Sequence, residues 1–107
     1  MSKKTELKTL IIDVAYNMDE ALSSAQKGNE YMYKSYMADA HSQGSQIEYL
    51  LGSREPEFSA KVELTTALYG CSDSQMDAYM DNMDLTSYQR CIGIMKLAYI
   101  NAIEEMF

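Results

Sequence analysis

The sequence predicts an all-α fold, a bundle of about five helices in one domain spanning residues 1–107. Three observations predict it. Apolar residues recur at alternating spacings of four and three over long stretches. There is no sustained period-two alternation and no Asn-Gly or Asp-Gly hairpin signal. The 107-residue chain contains a single proline, so long helices can run without a breaker. A chain of this length buries enough surface to fold as one domain.

The first helix is marked by Leu7, Ile11, Val14, Met18, Ala21 and Ala25, with Leu10, Ala15 and Leu22 widening the stripe. Thr5 or Ser2 can cap its start, and Lys27-Gly28 stops it. Asn29 is a good N-cap for a second helix, in which Tyr33, Met37, Ala40, Gly44, Ile47 and Leu51 repeat the spacing. A connection of about two residues makes the pair a long antiparallel hairpin. Gly44 marks a kink or a close helix crossing, since glycine costs about 1 kcal/mol against alanine inside a helix. Gly52 ends this helix.

Three shorter helices are expected next. Pro56 suits the first turn of the third, with Phe58, Val62, Thr65, Leu68 and Tyr69 on its packing side and Gly70 at its end. Ser72 and Gln75 form a capping-box pattern for the fourth, and Thr86 with Gln89 forms another for the fifth. The fifth, to about Met106, is apolar in nearly every direction. A helix apolar all round is buried, which in a chain this small predicts a homo-oligomer with Ile92, Met95, Tyr99 and Ile103 at the interface.

The net charge of −7 is uneven: residues 62–89 hold five acidic residues and no lysine or arginine. Such a field repels phosphate backbones and membrane surfaces, so no direct nucleic-acid or membrane partner is expected. The lysines of MSKKTELKTLII precede an apolar run that Asp13 cuts short, too short for a signal peptide. No apolar run approaches the roughly 20 residues of a membrane span. Two cysteines, Cys71 and Cys91, do not make a disulfide framework, and a reduced cytoplasmic setting fits them best.

Catalytic and metal chemistry find no support in the motifs. Calcium loops started at Asp73, Asp77 or Asp81 lack the sixth-position glycine and the twelfth-position glutamate. The only histidine, His41, has Ala38 three residues before it, so a Glu-x-x-His motif is absent. There is no glycine-rich phosphate loop. Neither an enzyme, a cofactor nor a metal is expected. Tyrosine is abundant, nine against two phenylalanines, and it serves interfaces well. Tyr33 and Tyr36 belong to the hairpin seam, whereas Tyr31 falls off it and is a contact candidate.

The stretch SDSQMDAYMDNMD, residues 72–84, carries four aspartates. Continued as one helix, it gathers Asp73, Asp77, Asp81 and Asp84 into a sector of about 80°. Met76, Tyr79, Met80 and Met83 border it. Like charges four apart destabilise a helix by roughly 0.2 to 0.5 kcal/mol per pair, and aspartate is a poor interior helix former. That cost favours a functional face as well as a solvated one. One charge per about 5.5 Å is too sparse to imitate duplex DNA, at one per about 1.7 Å. A basic protein surface is the better match.

In its small size, acidity, richness in methionine and tyrosine, and lack of catalytic motifs, the chain resembles small phage-encoded proteins that inhibit host machinery. The expected function is therefore an interaction protein that binds and inhibits a basic surface, such as that of a nucleic-acid-handling or defence complex, in the host cytoplasm if phage-encoded. Its contact residues are Asp73, Asp77, Met80, Asp81, Asp84, Glu63 and Tyr31. The alternatives are a nucleotide-like ligand held between subunits by Lys34, His41 and Arg90, and a structural oligomer without ligand.

Overall fold

A computed structural model describes residues 2–107, which are helical with no strand among them. Contacts divide the chain into two compact units, one ending at Gly52 and the other spanning Ser53–Phe107.

The first unit is a hairpin of α1 (Lys3–Gln26) and α2 (Glu30–Leu51). Ser2 is the N-cap of α1, its hydroxyl accepting from the Thr5 N–H at 3.2 Å. Leu7, Ile11, Ala15, Ala21 and Leu22 are buried on α1, and Ala40, Ile47 and Leu51 on α2, so the four-three stripes are the faces that meet. Gly28 turns the chain with φ +72°, and glycine adopts this left-handed conformation without a Cβ penalty. Two hydrogen bonds close the end of α1: Gly28 N–H to Ala25 O at 3.1 Å, and Asn29 N–H to Ser24 O at 2.9 Å. The Asn29 side chain then caps α2 by accepting from the Met32 N–H.

Two features of this unit depart from the sequence expectation. α2 is unbroken at Gly44, and a Cβ built there meets nothing within 4 Å, so the residue serves neither a kink nor a close crossing. Asn17, unmarked by the stripe, is buried and donates from Nδ2 to Gln43 Oε1 at 2.7 Å. The link between residues 17 and 43 across a three-residue connection makes the two helices antiparallel.

A 3₁₀ turn, Gly52–Arg54, leads into α3 (Glu55–Leu68) of the second unit. α4 (Asp73–Asp81) and α5 (Leu85–Met106) follow, and α3 and α4 each pack on α5. Pro56 sits in the first turn of α3, where its missing N–H costs nothing. The buried side of α3 is Phe58, Val62 and Thr66. This i, i+4 line turns away from Leu68, which is 78% exposed, and Tyr69 lies beyond the helix end and is also exposed; neither joins the packing side as expected. Phe58 meets Tyr99 of α5 edge to face, ring centres 5.1 Å apart.

With 22 residues α5 is as long as α2, so the hairpin is not followed by three shorter helices. Its seam of Tyr88, Cys91, Ile92, Ala98, Ala102, Ile103 and Met106 is buried within the chain. Ile92 and Ile103 are fully buried and have no surface left for a second subunit, which corrects their assignment to an oligomer interface. Met95 and Tyr99 are half-buried. Arg54 closes the unit: its Nη1 donates to the Met106 carbonyl at 2.8 Å, and its guanidinium lies 4.8 Å above the Phe107 ring.

Candidate functional site

The acidic helix α4 is built from its two ends. At the start, Ser72 and Gln75 form the expected capping box, in which the Gln75 side chain accepts from the Ser72 N–H at 3.0 Å. At the other end α4 stops at Asp81, three residues before the end of the acidic stretch. The Met83 N–H bonds Met80 O at 3.0 Å and the Asp84 N–H bonds Tyr79 O at 2.7 Å. This closure is the one seen at Gly28, and it recurs at Gly70 after α3, where Gly70 bonds Ala67 O and Cys71 bonds Thr66 O. In α4, however, the left-handed residue is Met83, with φ +57°.

Asp84 therefore leaves the acidic face. It is the N-cap of α5, its Oδ1 accepting from the Ser87 N–H at 3.2 Å and its Oδ2 from the Ser87 hydroxyl at 2.8 Å. The expected cap at Thr86 and Gln89 is replaced because Asp84, two residues earlier, already supplies the capping oxygen to the Ser87 N–H. Asp73, Asp77 and Asp81 remain as three exposed carboxylates at four-residue spacing, on a helix whose Met76 is buried and whose Met80 is half-buried. Met83 stands outside the helix and is 66% exposed. Three charges along about 12 Å of axis remain sparser than a nucleic-acid backbone.

The loop before α4 is held covalently. Cys71 and Cys91 form a disulfide, with Cα atoms 5.2 Å apart and both residues fully buried. No free cysteine is present among the described residues. The expectation of two unlinked, reduced cysteines is thus corrected. An even cysteine count, with one member just past a helix end and the other on the seam of α5, was the available signal. The Tyr79 hydroxyl adds a bond to the Gly70 carbonyl at 3.3 Å.

Beside this tether lies a cavity of about 420 Å³. Phe58 and Val62 of α3 and Met95 and Tyr99 of α5 form apolar walls. Ser72, Asp73 and Ser74 border it from the α4 start, and Glu63 from α3. Glu63 and Asp73, ten residues apart in sequence and both exposed, thus share one cavity that no lysine or arginine lines.

The other sequence candidates lie elsewhere. Tyr31 is on α2 and 79% exposed. Lys34 pairs with Glu30 at 3.0 Å, and His41 is exposed on the same helix. Arg90 is exposed on α5. None of the three lines the cavity above, nor a smaller one of about 210 Å³ formed by Ala25, Gly28, Glu30 and Tyr33. Among the described residues no group of three His, Cys, Asp or Glu side chains could hold a metal ion, and no helix is long and apolar enough to cross a membrane. No protein-family model, curated protein or solved structure matches this chain.

Proposed function

We propose that this chain is an acidic, helical interaction protein that binds and inhibits a basic protein surface, in the manner of small phage-encoded inhibitors of nucleic-acid-handling or defence complexes. One observation carries the reading. Asp73, Asp77 and Asp81 stand exposed on α4, which also carries half-buried Met80 and is followed by exposed Met83, inside a segment that has no lysine or arginine. Carboxylates steer a basic partner and set its orientation, while flexible thioethers adapt to its apolar parts. Non-catalytic action and a cytoplasmic setting, in the host if phage-encoded, belong to the same proposal. The Cys71–Cys91 bond counts against that setting, since disulfides are rare in reducing compartments, although its burial limits the access of thiol reductants to the sulfurs. Self-association is the remaining part, supported by exposed Leu64 and Leu68 one turn apart on α3 and by exposed Leu97 on α5.

The test is capture of the partner from the native or infected cell, followed by affinity measurement at two salt concentrations. Asp77→Asn with Asp81→Asn should weaken binding and flatten its salt dependence, whereas Asp84, as a helix cap, is left intact. Unchanged affinity and salt slope in the double variant defeat the proposal. Light scattering of the purified chain reads the self-association.

A further inference from the structure

We infer that the cavity between α3, α5 and the start of α4 is a socket for an arginine side chain of the protein partner. The inference rests on the proposed basic partner and names the contact that would anchor it.

The chemistry of the walls sorts the candidate occupants. A helix N-terminus ordinarily attracts anions. At α4, however, the Ser72 N–H and hydroxyl are already engaged by Gln75, and the acidic residues Glu63 and Asp73 both line the cavity. A phosphate or carboxylate would meet two like charges with no lysine or arginine to offset them. A purely apolar group would fill the walls but gain nothing from those two acidic residues. A long cationic side chain satisfies both parts. Its aliphatic stem lies along Val62 and Met95, and its charge reaches Glu63 and Asp73. Between the two natural cations, the aromatic pair Phe58 and Tyr99 favours the planar guanidinium, which stacks on rings and bonds carboxylates through a fork of N–H groups. The volume of about 420 Å³ exceeds what one such side chain needs, leaving room for bridging water.

The socket is also pre-built, which lowers the cost of binding. One rim, Ser72–Ser74, follows directly after Cys71, and the opposite wall, Met95 and Tyr99, begins one turn after Cys91. The disulfide between them holds the two sides in register.

The test is a proton–nitrogen chemical-shift titration of the oxidised full chain with N-acetylarginine amide. N-acetylcitrulline amide, of the same shape but uncharged, and spermidine, a free polyamine, run in parallel. The expected result is saturable movement of amides in residues 58–66 and 71–75 with the arginine compound. The citrulline compound should bind at least about tenfold more weakly, and Glu63→Gln with Asp73→Asn should abolish the preference. Because this double variant touches a helix start, its unperturbed amides report whether it has kept its fold, and Glu63→Gln alone repeats the test without touching α4. Equal binding of arginine and citrulline, no saturable shift, or tighter binding of spermidine than of the arginine compound overturns the socket. The wider proposal fails separately. Asp77 and Asp81 do not line the cavity, so loss of partner binding in their asparagine variant supports the acidic face even where the socket has failed.

Discussion

Cys71 and Cys91, twenty residues apart in the chain, are bonded to each other and enclose the whole of α4 in the loop they close. α4 is short, with nine residues and one buried side chain, well below the roughly 12 to 15 residues at which a helix persists alone. Reduction, or Cys71→Ser with Cys91→Ser, should lower the unfolding free energy by about 3 kcal/mol on the loop-entropy model. Urea titrations with and without reductant measure it. Hydrogen exchange should rise first in residues 72–84, and equal protection of that segment in both states contradicts the account.

Met83 occupies a left-handed conformation that glycine fills at the equivalent positions 28 and 70. A side chain there costs about 1 kcal/mol, and this one, mostly exposed, recovers little by burial. Met83→Gly should therefore raise stability by somewhat under about 1 kcal/mol, since glycine also loosens the unfolded chain. Thermal unfolding reads the gain. If the same variant binds the partner less well, the methionine is there for contact at a local cost in stability.

Asn17 and Gln43 form a side-chain bond across the hairpin. Asn17→Ala should cost about 1 to 3 kcal/mol by stranding the Gln43 amide in partial burial. Replacing both by leucine should be close to neutral in stability. A double-mutant cycle in urea gives the coupling, and additive single effects would show that the bond contributes nothing.

Arg54 joins three groups at once: the Met106 carbonyl, the Glu57 carboxylate at 3.3 Å and the Phe107 ring. The exposed ion pair with Glu57 counts for little. The charged donor on the last carbonyls of α5 counts for more. Arg54→Ala should cost about 1 to 2 kcal/mol, and Glu57→Ala less than half of that. The reverse order of the two losses would place the main effect in the ion pair.

How much of this was legible beforehand depended on the range over which each signal acts. The caps at Ser2, Asn29 and Ser72 were readable because a cap is decided within four residues. The hairpin stripes were readable because each is a periodicity along one helix. The end of α4 was not, because the left-handed position holds methionine where glycine would have announced it. Continuing the helix through it made Asp84 look like a fourth charge on the α4 face. The long apolar sequence of α5 was legible as a buried helix, but the helices that cover Ile92 and Ile103 lie in the same chain. Pairing Glu63 with Asp73 around one cavity required the packing of α3 on α5, which no local pattern encodes.

The corner at Asn82–Met83–Asp84 has a further consequence. Asp84 both completes the closing bonds of α4 and starts α5, so no residue of slack separates the two helices. The corner therefore works as a phase setter. Each residue added or removed there would turn α5 by about 100° about its own axis. A single insertion would swing Cys91 off the line to Cys71 and carry Met95 and Tyr99 out of the cavity wall. At this corner the spelling of the chain is freer to drift than its length.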